Sequence, residues 1–164
     1  MPALDGGRGL HRYGVHCHWT GSTGVGYEAV SREHAAGAPP AAQELRLSAD
    51  PSFRGDPDLL NPEQLVVLAA ASCQLLSFLA VAARARVDVL GYDDEGVGVT
   101  SDDDPPMRLV TISLRPVIRV APGTDADRVR HLVDIAHRQC FIANSLRTEI
   151  DVVATVVVED DGPG

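Results

Sequence analysis

The chain contains no lysine; all fourteen of its basic residues are arginines. That excludes a Schiff-base mechanism through a lysine amine. Positive charge is also outweighed. The net charge is −9 and the pI about 4.9, which argues against a nucleic-acid partner, since phosphate contacts need clustered cations. Cysteines are few: Cys17, Cys73 and Cys140. Their odd number and wide spacing do not make a secreted disulfide framework. The opening MPALDGGRGLHRYG lacks an apolar core followed by a cleavage site, so no signal peptide is expected and a cytoplasmic location is the default. No Walker-A loop, GxSxG, HExxH or CxxC motif occurs. GSTGVG at 21–26 precedes a strand signal rather than a helix, so it is not read as a phosphate loop. There is no internal repeat and no low-complexity segment.

What is present suits one soluble domain. The 164 residues are 45% hydrophobic and 23% charged, ordinary values for a folded protein. Residues 1–10 are Gly-rich and expected to fray, leaving 11–160 as a single domain. Tyr13, Val15, Cys17 and Trp19 alternate with Gly14, His16, His18 and Thr20, the period of a half-buried strand. Further short strands are expected at 26–31 and 44–48. Asn61-Pro62-Glu63 reads as a helix start, with Asn as cap, Pro at the first helical position and Glu complementing the dipole. The helix runs to about Arg86. Val110, Ile112, Leu114, Ile118 and Val120 predict one long half-buried strand. A second helix begins near Asp125 and carries Val129, Leu132, Val133, Ala136 and Cys140 on one stripe. A break or short extra helix follows at Asn144, and a last strand covers Ile150 to Val158. Helices do not alternate strictly with strands, so the class is α+β.

The long helix is the most informative physical feature. From Asn61 to Arg86 it measures about 39 Å at 1.5 Å per residue, nearly the whole diameter of a compact domain of this size, about 40 Å. It is apolar almost all round, and one small sheet cannot cover every side. A membrane span is disfavoured by Gln74 near the centre, with Ser72 and Ser77, and by period-2 strands on both sides. A central core helix and a helix packed at a dimer interface remain. The second is preferred, so a homodimer is expected, with no membrane partner.

Taken alone, Cys73 in mid-helix reads as a small buried hydrophobe. Cys140 ends an apolar stripe; a new helical turn beginning there would turn free N–H groups towards a thiolate. Cys17 is expected to face inward as filler. His16 and His18 share a strand face, but no third ligand stands at motif spacing, so no metal is expected. His131 and His137 lie about 240° apart on the second helix and read as surface residues.

Asn61-Pro62-Glu63-Gln64-Leu65, Cys73 on a long helix, and the distant string Cys140-Phe141-Ile142-Ala143-Asn144-Ser145 together resemble the OsmC/Ohr (osmotically inducible protein C-like, organic hydroperoxide resistance) family of thiol-dependent hydroperoxide reductases. The resemblance covers about Arg12 to Val158. It implies an α+β OsmC-like fold, with antiparallel sheets around a long central helix in an intertwined homodimer. It implies Cys73 as peroxidatic cysteine, Cys140 as resolving cysteine, and an Arg–Glu pair that positions the first. Glu63 carries over from the NPEQL string; Arg54, in the loop just before it, is the best match for the arginine, with Arg32 second. Phe141 stands where a Pro commonly follows the second cysteine, and Gln74 where an aromatic or His commonly follows the first.

The implied chemistry needs these residue types. Only a thiolate splits a peroxide O–O bond, and a free Cys with pKa near 8.5 is mostly protonated. A guanidinium favours the thiolate and stabilises the leaving alkoxide, and Glu63 would orient it. Attack gives a Cys73 sulfenic acid and an alcohol, and condensation with Cys140 gives a disulfide. No cofactor is expected beyond an external thiol or dithiol reductant. Leu76, Phe78 and Leu79 are candidates for an apolar wall suited to organic hydroperoxides. The alternative is a non-enzymatic redox-sensing or ligand-binding dimer on the same scaffold.

Overall fold

The computed structural model describes residues 9–103 and 105–160; most of the frayed start expected at 1–10 lies outside them. Two compact units divide the chain, residues 1–62 and 63–164.

The first unit holds one antiparallel sheet in the order β1 (His16–His18), β2 (His34–Gly37) and β3 (Glu44–Leu47). The long first strand shrinks to three residues, all exposed. Residues 26–31, expected as a strand, form a turn instead. Ala29 and Val30 N–H groups return to the Gly26 carbonyl at 3.2 and 3.0 Å, and Arg32 donates to Tyr27 O at 2.6 Å and to Val30 O. An arginine spanning two carbonyls closes a loop that alternation alone would have extended. Trp19 Nε1 donates to Ser31 O at 2.9 Å.

The second unit is built on α1 (Pro62–Arg84). Pro62 pre-sets φ at the first helical position, and the Ala/Leu-rich run beyond it favours helix. The helix ends through Arg86 in the left-handed region (φ 57). Arg86 N–H bonds to Ala83 O at 3.1 Å and Val87 N–H to Ala82 O at 3.0 Å, a Schellman closure that buries Val87 beside Ala82.

Two mixed sheets follow. One has the order β4 (Val89–Asp93), β7 (Val117–Val120), β9 (Thr155–Val158); the other β5 (Val97–Thr100), β6 (Leu109–Leu114), β8 (Glu149–Val152). Within them β4–β7 and β5–β6 are antiparallel, whereas β6–β8 and β7–β9 are parallel. The parallel pairs need a crossover, supplied by α2 (Ala126–Gln139) and α3 (Phe141–Ser145).

The two long strands expected at 110–120 and 150–158 each break in the middle and change sheet. Pro116, which has no N–H to give a ladder, marks the first break. The second lies at Val153 and Ala154. Both strands turn the corner together: Val153 N–H bonds to Leu114 O at 3.1 Å and Thr155 N–H to Pro116 O at 2.8 Å. Asp94 Oδ1 accepts the Arg115 N–H at 2.8 Å, and Arg115 pairs with Asp151 at 2.7 Å.

The sides of α1 have different surroundings. Phe78, Val81 and Ala82 pack with Val129, Leu132, Val133 and Ala136 of α2 and with Ile118 and Val120. Ala70, with Val66 and Val67, packs on Ile112, Leu114 and Ile142; a Cβ on Gly98 would come within 2.5 Å of Val67, so β5 approaches the helix closely only because that residue is glycine. Leu68, Ser72, Leu76, Leu79, Ala80 and Ala83, spaced at three to four residues, form an exposed stripe.

Candidate functional site: a thiol pair between two helices

Cys140 is the extended residue (φ −68, ψ 115) that separates α2 from α3. Asp125 starts α2 by accepting the N–H groups of Asp127 and Arg128 at 2.9 and 3.3 Å. At the other end, Cys140 N–H bonds to His137 O at 3.2 Å, and Asn144 N–H returns to Cys140 O at 3.0 Å. Asn144 Nδ2 bonds back to Arg138 O at 3.1 Å. The turn is thus tied on both sides, and Ile142 anchors it among Ala70, Ile112 and Leu114.

This turn meets the middle of α1. Cys73, half-buried, and Cys140, only 1% exposed, hydrogen-bond through their sulfurs. Burial pushes the Cys73 thiol up, but hydrogen bonds outweigh it and bring it below its ordinary value. The donors are the Ile142 N–H, the Cys140 S–H, the Phe141 N–H and the Ser77 hydroxyl. Cys140 moves the other way. Burial raises it most; its hydrogen bond to Cys73 and the Cys73 charge raise it further, against N–H groups of Ala143 and Ile142. Cys73 is therefore the more acidic thiol of the two and Cys140 the less acidic. The free N–H groups of the α3 turn favour a thiolate, as the sequence suggested, but chiefly that of Cys73 rather than Cys140.

Gln74 is 1% exposed and donates through Nε2 to Val133 O at 3.4 Å, tying α1 to α2 next to Cys73. Glu63 lies in the first turn of α1, about 15 Å along the axis from Cys73 by helical rise; any influence on the sulfur must pass through another group. Arg54 belongs to the first unit. It sits in the left-handed region (φ 67) after a 3-10 turn at Pro51–Phe53, and its guanidinium pairs with Glu28. The loop around it is closely built. Asp50 accepts the Ser52 N–H at 2.8 Å, Ser48 Oγ accepts the Asp56 N–H at 3.0 Å, and a Cβ on Gly55 would sit 1.6 Å from Ala49 O. Arg32, besides its two carbonyl bonds, lies 4.6 Å over the Tyr27 ring.

Several expectations need correction. Cys17 is exposed on β1, not turned inward: the strand is short and its sheet has only three strands. Phe78 cannot form a substrate wall, because it is wholly buried against Tyr92, ring centroids 5.9 Å apart; Leu76 and Leu79 are exposed. His137 is not a surface residue: its Nδ1 is buried without a hydrogen-bond partner. Among the described residues no three His, Cys, Asp or Glu side chains cluster as metal ligands. Ser77 and Glu28 escaped the sequence reading. The i to i+4 spacing from Cys73 signalled the first; nothing in the chain order pointed to the second.

An α+β scaffold that brings two thiols of opposite acidity together at a helix break defines a dithiol protein. Residues 55–155 match the family model for OsmC-like protein, and the chain belongs to that family. It is 32% identical over 99 residues to an organic hydroperoxide resistance protein of Xanthomonas axonopodis pv. citri (strain 306), covering 60% of this chain and 68% of the relative. In fold it is similar to an OsmC-like protein of unknown function from Vibrio cholerae (TM-score 0.81, 24% identity, 89% of this chain and all of the other). It is also similar to an organic hydroperoxide resistance protein from Elizabethkingia anophelis (TM-score 0.68, 20% identity, 93% and 99% covered).

Proposed function

We propose that this chain is a cytoplasmic, homodimeric, thiol-dependent peroxidase that reduces organic hydroperoxides. The observation that carries the reading is the hydrogen bond between the Cys73 and Cys140 sulfurs, with Cys73 the more acidic of the two. The relative named for organic hydroperoxide resistance supports the substrate class.

The Cys73 thiolate attacks the terminal oxygen of the hydroperoxide. The S–O bond forms as the O–O bond breaks, the alkoxide takes up a proton to leave as alcohol, and Cys73 becomes a sulfenic acid. Cys140, deprotonated, then attacks the Cys73 sulfur. The S–S bond forms, and hydroxide leaves and is protonated to water. An external dithiol reduces the disulfide by exchange and is itself oxidised. Arg54, with Glu63 as its orienting acid, is assigned to stabilise charge on the leaving oxygen; the Glu28 carboxylate that pairs with Arg54 is a competing partner for it. The uncovered apolar stripe on α1 supports the dimer. That helix has the length and apolar composition of a membrane span. Its Phe78, Val81 and Ala82 nonetheless pack into a protein core.

Peroxide consumption with dithiothreitol tests the reading. Cys73→Ser is expected to abolish turnover, and Cys140→Ser to leave a Cys73 sulfenic acid that dimedone traps. Full activity in Cys73→Ser overturns it.

A further inference from the structure

The buried stripe of α1 is Ala70, Gln74, Phe78, Val81 and Ala82, and Gln74 is its only polar member. That side chain is 1% exposed. Its Nε2 donates to Val133 O at 3.4 Å, across 59 positions of sequence, while its Oε1 is buried with no hydrogen-bond partner. Neither end needs this bond. Val133 lies inside α2, so its carbonyl already accepts a helical N–H from four residues on, and Gln74 takes up the second lone pair. The amide meanwhile brings an orphaned oxygen that methionine or leucine would not bring. Stability alone therefore gives no reason for a glutamine here. What the bond does supply is a fixed point. The rest of the contact is apolar, with Phe78 and Val81 in one cluster with Val129, Leu132 and Ala136, and apolar surfaces set helix register less sharply than one buried polar contact does.

We propose that Gln74 is a positioning residue of the thiol site: its amide fixes the register of α1 on α2, and thereby the approach from which Cys140 closes a disulfide on Cys73. Each thiol is joined to this contact by helical backbone. Gln74 follows Cys73 directly in α1. From Val133, α2 continues to Gln139, and Cys140 N–H bonds back to His137 O at 3.2 Å. Beyond Cys140, Ile142 packs among Ala70, Ile112 and Leu114, so the α3 turn is seated on α1 about one helical turn before Cys73. A disulfide needs its two Cα atoms about 4.4–6.8 Å apart. A slip of one residue displaces a helix about 1.5 Å along its axis, more than half of that window. The proposal rests on Cys73 and Cys140 forming a disulfide, as in the reading above, but it does not require a peroxide as the oxidant.

The test uses the full chain carrying Cys17→Ser, equilibrated in mixtures of reduced and oxidised glutathione. Cys73 and Cys140 give up two electrons and two protons to glutathione disulfide, which becomes two molecules of glutathione. Alkylation and mass spectrometry read the fraction closed. Gln74→Met keeps a similar length and has no donor. It is expected to lower the equilibrium constant for disulfide formation about two- to tenfold, the worth of one neutral hydrogen bond. Gln74→Leu differs in shape and should lower it by a similar factor, which separates the lost bond from the misfit of one side chain. Urea unfolding of the reduced proteins runs alongside, because a merely structural glutamine would change stability and leave the thiol equilibrium in place. An unmoved constant in either variant, or a parent that closes no Cys73–Cys140 disulfide, overturns the proposal. If the constant falls as expected while the parent protein consumes no hydroperoxide, Gln74 keeps its role and the peroxidase reading falls. If hydroperoxide is consumed and the constant stays put, the reverse holds.

Discussion

Replacing Leu76 by Glu tests what covers the open side of α1. Leu76 is 63% exposed, Leu68 56% and Leu79 40%, a row of leucines that a soluble monomer would leave in water. Full burial of a leucine stabilises by about 1.5–3 kcal/mol. Since roughly half of each remains accessible, association would gain about 1–2 kcal/mol per side chain. In a two-fold dimer every residue counts twice, so Leu76→Glu forfeits about 2–4 kcal/mol before any cost of burying the carboxylate. At 1.4 kcal/mol per decade, the dissociation constant should rise about 30- to 1,000-fold. Sedimentation velocity over nanomolar to micromolar concentrations reads this directly, with circular dichroism confirming that the helix persists. If the parent chain sediments as a 17.4 kDa monomer at micromolar concentration, or if the variant associates as tightly as the parent, the stripe is not a dimer interface.

Other perturbations report on the interior and the thiols. Phe78→Ala removes a wholly buried ring packed on Tyr92 and should cost about 3–5 kcal/mol in urea unfolding, with an unchanged slope. Gly55→Ala puts a Cβ against the Ala49 carbonyl and should cost about 3 kcal/mol; it should also disturb the Arg54 loop, read as lost turnover without loss of Cys73 acidity. Burial holds Cys140 up most, and Cys73→Ser takes away a lesser cause, the Cys73 charge. Because that group's pKa is raised while the charge is present, its alkylation profile should move to lower pH in the variant. Arg86→Gly relieves a side chain in the left-handed region and should stabilise by about 1 kcal/mol, seen as a higher thermal midpoint.

Much of the scaffold was legible because it rests on local signals. Pro62 and the apolar run after it wrote α1 into the sequence, Asp125 wrote the start of α2, and the cysteine strings brought Cys73 and Cys140 to notice. The sheet changes at Pro116 and Val153 were not legible, since alternation continues straight across them and only the parallel partner strand shows that both bend together. Residues 26–31 misled for a related reason. Their pattern permits a strand, and the competing Arg32 bonds to Tyr27 and Val30 belong to tertiary closure rather than to periodicity. The ion pair between Arg54 and Glu28 joins residues far apart in the chain, and no spacing rule reaches that distance.

The division of α1 into faces explains how a hydrophobic helix can host acid chemistry. The side carrying Phe78, Val81 and Ala82 is fixed by α2, and the side carrying Ala70 is fixed by Ile142 of α3. Both helices meet at Cys140, so the packing that holds α1 also sets where the second sulfur stands. Gln74, bonded to Val133 of α2 beside Cys73, ties the two elements at that level. Neutral N–H and O–H donors then suffice to make one thiol acidic, because burial strengthens each hydrogen bond to a charge. Cys140 is the more deeply buried of the two, and that burial, with its hydrogen bond to Cys73 and the Cys73 charge, outweighs the Ala143 and Ile142 N–H groups and pushes it up. The difference between the two cysteines therefore lies in depth of burial as well as in which sulfur receives the donors. Loss of the Cys73 charge on oxidation removes one of the causes that hold Cys140 up, so the first step prepares the second.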